Sequence, residues 1–231
     1  MIKDNIIKVR ERIALSCAKL KRSPAEIRLV AVTKNRSIEE IREAMDTGLL
    51  DFGENRVKEA VTKFNQRSTI SSGLTAIKLH LIGRLQSNKV KEAVKLFDLI
   101  QSIDSLNLAE AVNKQAAKIN KLQDILLEVK VSPEPAKFGL KPEEVIAAAE
   151  KISGFKNIKI KGLMAIAPIV ENPEQARPYF RRLKQVFDQV NGLGVIGEQF
   201  SILSMGMTDD FEVAVEEGAT MLRLGRAIFE G

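Results

Sequence analysis

The chain has 231 residues, with 36 Lys and Arg against 30 Asp and Glu for a formal net charge of +6, and 45% apolar residues, enough for one well-cored domain or two small ones. No apolar run approaches the roughly 20 residues of a spanning helix, and residues 1–13 mix charge into their apolar positions, so a membrane span and a secretory signal are not expected. One cysteine, Cys17, one histidine, His80, and one tyrosine, Tyr179, exclude disulfide frameworks, Cys/His zinc sites, iron–sulfur clusters and two-histidine metal motifs, which leaves Lys, Arg, carboxylates, hydroxyls or a borrowed cofactor to carry any chemistry.

The first predicted element is an amphipathic helix over residues 2–21, within a segment 1–22 expected to pack on the body of the fold. Its apolar stripe is Ile6, Val9, Ile13 and Leu20, and Cys17 falls beside that stripe as a small buried hydrophobe. The basic residues there (Lys3, Lys8, Arg10, Arg12, Lys19, Lys21, Arg22) alternate with Asp4 and Glu11. They lack the interleaved aromatics of a base-stacking surface, so a solvated helix face is the reading and nucleic acid is not an expected partner.

After residue 28 the chain alternates β-rich runs with segments of helical spacing eight times. The predicted strands are 28–33, 50–52, 79–82, 99–102, 125–131, 158–164, 200–203 and 221–224. Ser37-x-x-Glu40 forms a capping box, Pro142 and Pro173 suit first-turn positions, and Thr208 is a cap for a helix over 209–217. Ile38, Ile41 and Met45 share one helix face; Ala176, Phe180, Leu183, Phe187 and Val190 share another. Strands begin about 27 residues apart, the length of one strand plus one crossover helix. The fold class is therefore α/β, a single (β/α)8 TIM barrel over 1–231 with an extra N-terminal helix, and a doubly wound open sheet is the structural alternative. The open sheet would place a Gly-rich nucleotide turn after the first strand, where this chain has Val30-Ala-Val-Thr-Lys-Asn-Arg-Ser37. The match Gly192-Leu-Gly194-Val-Ile-Gly197 follows a helix and precedes a strand, the reverse of the dinucleotide order, and reads as a loop.

In a barrel, function is built at the carboxyl ends of the strands. Strand alternation puts Val30, Val32 and Lys34 on one face and Leu29, Ala31 and Thr33 on the other, so Lys34 either crowns the lumen or is an exposed lysine leaving a strand. The second strand ends at Asn55, an amide for a ligand or a turn residue. His80 lies within the third and reads as a satisfied core or rim histidine. Met164 ends the sixth, against a planar ligand or as packing. The seventh ends Ser204-Met205-Gly206-Met-Thr208 and the eighth Arg223-Leu-Gly225-Arg226, two small-residue turns that open helices and can cradle an anion on backbone N–H groups. Arg223 shares a face with Met221 and Gly225, and an arginine inside a barrel mouth needs an anionic or acceptor partner. A lysine facing such a cradle suits a phosphorylated aldehyde, and desolvation beside positive charge would expose the free amine for imine formation.

The stretches Leu29-Val-Ala-Val-Thr-Lys34, Phe52-Gly-Glu-Asn55, His80-Leu-Ile-Gly-Arg-Leu-Gln-Ser-Asn-Lys89, Gly162-Leu-Met164, Ser204-Met-Gly-Met-Thr-Asp-Asp210 and Arg223-Leu-Gly225 with Ala227-Ile-Phe229 fall in order over nearly the whole chain. By them the chain resembles the pyridoxal-phosphate homeostasis proteins, which are similar to the N-terminal barrel of alanine racemase. The resemblance implies that Lys34 carries the imine of pyridoxal 5′-phosphate (PLP), that Ser204 and the backbone around Gly206 and Gly225 hold the phosphate, and that Arg223 faces the pyridine nitrogen. The chain departs from the family pattern where Thr208 stands in place of a frequent Ser, and where Arg226 stands in place of a small hydroxyl residue, with Glu230-Gly231 after it.

The expected function is thus a cytoplasmic PLP holder acting in PLP homeostasis, a monomer serving PLP-dependent apo-enzymes, with weak or absent turnover. An arginine opposite the ring nitrogen disfavours the protonated ring that serves as an electron sink. Two-base racemisation also needs an acid on the far face, which the related racemase supplies as a tyrosine from a second domain, whereas this sequence ends at Gly231 and its one tyrosine lies in a helix. The alternatives are a PLP-dependent amino-acid racemase, a cofactor-free Schiff-base lyase using Lys34, and a barrel that serves as a protein-interaction module.

Overall fold

The computed structural model describes the chain apart from residues 65–76, 133, 135–137, 195–196 and 198, so two positions of the glycine-spaced loop lie outside the described residues. The strands β1 (Arg28–Val32), β2 (Asp51–Glu54), β3 (Lys78–Leu81), β4 (Leu99–Ile103), β5 (Gln123–Glu128), β6 (Ile158–Met164), β7 (Ile202–Ser204) and β8 (Met221–Leu224) pair in sequence order. All pairs are parallel, and β8 closes on β1 with Val30 opposite Arg223, which gives the expected (β/α)8 barrel. Around it lie α2 (Ile38–Met45), α3 (Val57–Phe64), α4 (Val90–Leu96), α5 (Leu106–Ala117), α6 (Val145–Ser153), α7 (Arg177–Leu193), α8 (Phe211–Glu216) and α9 (Arg226–Phe229), preceded by α1 (Ile2–Lys19).

Strand alternation divides the apolar residues into two bodies. Leu29, Ala31, Leu79, Leu81, Leu222 and Leu224 point outward and join the inner faces of the helices. Val30, Leu99, Leu126, Met164 and Met221 point inward and form a smaller lumen cluster. Ala176, Phe180, Leu183 and Val190 are buried as their spacing predicts, while Phe187 is half-buried and Val186, one residue before it, is buried; Ser37 and Glu40 form the capping box of α2.

Helix α1 buries Ile6, Val9, Ile13 and Cys17 and lies against α8 and α9. Arg12 is bidentate on Glu212 at 3.0 and 2.9 Å, Lys19 reaches Glu216 at 2.6 Å, and Asn5 donates to the Ile228 carbonyl at 3.1 Å. Leu20 departs from the predicted stripe because α1 stops at Lys19, which leaves Leu20 as an exposed C-cap. Thr208 is not the cap of α8, whose N-cap is Asp210; the threonine oxygen instead accepts from Ala227 N–H at 3.3 Å. Strand β5 ends at Glu128 rather than running to residue 131, since the Val129 N–H makes a last bond to the Met164 carbonyl at 2.8 Å and the chain then bridges to Leu140.

Candidate functional site

Lys34 follows β1 in a turn closed by the Arg36 N–H on the Thr33 carbonyl at 3.0 Å, with Asn35 at φ 58°. Its side chain is exposed and makes no hydrogen bond with a described residue, so the protein alone does not form the dry setting expected around it. The turn itself is rigidly held. Lys63 Nζ donates to the Thr33 carbonyl at 2.6 Å, to Glu54 Oε1 at 2.9 Å and to Glu59 Oε1 at 2.8 Å. Thr33 Oγ1 donates to Glu54 at 2.7 Å, and Asn35 N–H donates to Glu59 at 2.9 Å. Both residues flanking Lys34 are therefore anchored by one ammonium and two carboxylates. Burial pushes the Glu54 carboxyl above its usual range while hydrogen bonds from Lys63 and Thr33 pull it back, and its Oε2 is buried without a protein partner. Sequence reasoning missed this cluster; its signals were the four-residue spacing of Glu59 and Lys63 and the carboxylate beside Asn55.

Asn55 immediately follows β2, its amide unbonded to any described residue. Met164 lines the lumen and is fully buried. Met205 is also fully buried but belongs to the outer cluster, so its part in the mouth is limited to its backbone.

Arg223 projects inward from β8 and is almost completely buried. Its two terminal nitrogens donate to Ser204 Oγ at 2.6 Å and to the Ala165 carbonyl at 2.8 Å. Burial lowers its pKa to about 10, opposed by the nearby charges of Asp210 and Glu128. Those two carboxyls respond in kind. Burial pushes Glu128 up to about 7, with Asp104 adding to the shift and Arg223 and Arg84 opposing it. Burial also raises Asp210, whose Oδ1 accepts from Met207 N–H at 2.6 Å. The guanidinium sought a partner, as its burial required, and found acceptors within the chain. His80, buried as expected, bonds Asp51 at 3.0 Å and Gln101 at 2.9 Å.

The turns after β7 and β8 lie side by side. The Arg223 N–H binds the Gly206 carbonyl at 3.1 Å, and the Thr208–Ala227 bond ties one turn to the other. Gly206 has φ +92°, and a Cβ there would fall 2.6 Å from Ala214 Cβ, so the fold itself demands glycine. Gly225 is different: a Cβ would meet nothing nearer than Val32 at 3.6 Å, so the fold leaves open a space beside the mouth that a side chain would fill. Arg226 turns its guanidinium outward to pair with Asp209 on the surface. Tyr179 packs against the outer cluster in α7, in the helix layer.

The arrangement sets an uncommitted primary amine at the end of one strand and an open-backed turn at the end of the neighbouring strand, with a buried guanidinium below. Such a mouth can condense with an aldehyde while holding an attached anion. Among the described residues no group of His, Cys, Asp and Glu is placed to hold a metal, and no helix is long and apolar enough to cross a membrane.

A family profile described as alanine racemase, N-terminal domain, matches residues 9–231. A pyridoxal phosphate homeostasis protein of Aquifex aeolicus is 39% identical over 230 residues, covering 98% of this chain and 96% of the relative. Among solved structures, an unknown protein from Bifidobacterium adolescentis superposes with a TM-score of 0.88 at 36% identity, over 99% of this chain and 94% of that one. PipY of Synechococcus elongatus, solved with PLP bound, superposes with a TM-score of 0.81 at 34% identity, over 94% of this chain and 99% of that one.

Proposed function

This chain belongs to the family of the pyridoxal phosphate homeostasis proteins, and on that premise we propose that it binds pyridoxal 5′-phosphate as a reversible Schiff base on Lys34 and serves PLP homeostasis without efficient turnover of its own. When bound, the cofactor supplies an aldehyde that condenses with a primary amine and releases one water, a reaction that hydrolysis reverses. Lys34 is the amine. The backbone of the turns at Gly206 and Gly225 takes the phosphate, in the space that the missing Gly225 side chain leaves. Asn55 and Met164 flank the ring, Met205 and Arg226 contribute backbone only, and Arg223 faces the ring nitrogen.

The observation that carries this reading is a buried arginine on β8, the strand paired with β1, which leads to the uncommitted lysine. Arg223 is kept charged by Asp210 and Glu128 and cannot accept a hydrogen bond, so it holds a ring nitrogen in the unprotonated form, which favours keeping the cofactor over using it. The protein would act as a cytoplasmic monomer that passes PLP to apo-enzymes. Incubated with PLP, the purified protein is expected to develop the visible imine band, and borohydride should fix the label on Lys34. Lys34→Ala should abolish both. A preparation that stays colourless with excess PLP, or amino-acid racemisation at ordinary enzymatic rates, would overturn the proposal.

A further inference from the structure

A single file of polar side chains crosses the barrel interior from mouth to floor. Arg223 donates to Ser204 Oγ at 2.6 Å, Ser204 bonds Gln101 Oε1 at 2.7 Å, Gln101 Nε2 lies 2.9 Å from His80 Nδ1, and His80 Nε2 lies 3.0 Å from Asp51 Oδ1. Gln101, His80, Ser204 and Arg223 are each at most 3% exposed, so water does not substitute for any of these bonds.

The chemistry of the groups fixes the direction of every bond. A carboxylate only accepts, so His80 Nε2 donates to Asp51, and the NH2 of Gln101 only donates, so Nδ1 accepts from it. The Met221 sulfur, an acceptor 3.2 Å from Gln101 Nε2, supports the same orientation of that amide. Its carbonyl oxygen is left for Ser204, which accepts from Arg223 and must donate to Gln101. The one proton of the Ser204 hydroxyl is thereby spent inside the barrel. Thr208 is in the opposite position, because its oxygen accepts from Ala227 N–H at 3.3 Å while its own proton is given to no described residue.

Building on the cofactor reading, we propose that Gln101 is a positioning residue for Arg223, acting through Ser204, and that the Ser204 hydroxyl orients the guanidinium under the ring instead of binding the phosphate. The hydroxyl that serves the phosphate is Thr208. Arg223 has five N–H groups, and with its two terminal nitrogens pinned on Ser204 and Ala165 its plane is set before any ligand arrives. Loss of Gln101 frees the Ser204 hydroxyl to rotate and releases that plane.

The test compares PLP with pyridoxal, which carries the same aldehyde and ring but no phosphate. Imine formation is titrated with each on wild type, Ser204→Ala, Gln101→Met, their double variant and Thr208→Val. Ser204→Ala and Gln101→Met should weaken both ligands by the same factor and shift the imine absorbance maximum alike, leaving the preference for PLP over pyridoxal within about twofold of wild type. The double variant should be no worse than either single, because both break one device. Thr208→Val should cut the preference roughly tenfold, the equivalent of one hydrogen bond to a charged group. Gln101→Glu, protonated so that its O–H faces His80 Nδ1, keeps an acceptor for Ser204 and should hold the wild-type band position, which guards against a Gln101→Met variant that merely folds poorly. A tenfold loss of preference in Ser204→Ala with none in Thr208→Val would overturn the assignment, as would additive losses in the double variant. Wild type that forms no imine with either aldehyde would overturn the cofactor reading itself and the positioning role with it.

Discussion

The two faces of the same eight strands are built on opposite principles. Outside the barrel wall, the strands' outward residues and the helices' inner faces form a continuous apolar layer. Inside, five fully or nearly buried apolar residues surround a file of polar ones whose bonds all satisfy one another. The outer layer tolerates many arrangements of similar volume, since dispersion and burial have no direction. The interior does not: its hydrogen bonds have a sense, and changing one member changes what its neighbours can do. Stability should therefore be set by the shell and ligand geometry by the interior. The largest expected effect separates the two. Phe180→Ala removes a buried ring from the outer layer and should cost about 3–5 kcal/mol in urea unfolding, while the folded fraction keeps its imine band unshifted. A folded variant with a shifted band would break the distinction.

The same division explains what the sequence disclosed. The outer layer is periodic, so alternation placed Leu29 and Ala31 against Val30 and Leu222 and Leu224 against Arg223, and the spacing of Phe180, Leu183 and Val190 gave the buried face of α7. Strand β5 was overread because Val129 and Val131 continue its apolar pattern, and only the bridge from Val129 to Leu140 shows that the ladder has ended. Within the site, Lys34, Arg223 and the two turns were visible one at a time, from a strand end or a small-residue run. Their partnerships were not. Ser204 meets Gln101 across 103 residues and His80 meets Asp51 across 29, and Gln101 is an unremarkable polar residue in a strand until its neighbours are known. The Lys63 cluster was hidden for the same reason, since Thr33 and Glu54 come together only by strand pairing.

Glu128 stands on the boundary between the two regimes, at the lumen end of β5 beside Met164. Its folded pKa of about 7 lies above the usual carboxylate value, mainly because of burial. A raised folded pKa means that the native state holds the proton more tightly than the unfolded chain does. The resulting stabilisation is fully present below the ordinary carboxylate value and is lost as pH rises through about 7. Glu128→Gln has no such loss. Relative to wild type at the same pH, it should gain ground steadily from pH 5 upward and be more stable by about 1–3 kcal/mol at pH 8, read from urea midpoints at several pH values. Parallel pH profiles would show that Glu128 behaves as a surface carboxylate and that the mouth is wetter than its packing indicates.

The smallest effect is the sharpest test, because it falls one turn away from Lys34. The chain around that lysine is held from two sides. From one side, α3 and the end of β2 hold it: Lys63 grips the Thr33 carbonyl and Glu54, and Glu59 takes the Asn35 N–H, at 2.6, 2.9 and 2.9 Å. From the other, the capping box of α2 begins at Ser37, whose Oγ accepts from Glu40 N–H at 3.2 Å while the Glu40 carboxylate accepts from Ser37 N–H at 2.8 Å. Ser37→Ala removes the hold from α2 and should cost about 1 kcal/mol of stability, as loss of a capping hydroxyl does elsewhere. If the cluster of Lys63, Glu59 and Glu54 alone places Lys34, that energy is lost from the bound and the free protein equally, and the affinity for PLP is unchanged. If affinity drops by about fivefold, the whole cap energy has been drawn on to position the lysine, and α2 helps to shape the site as well.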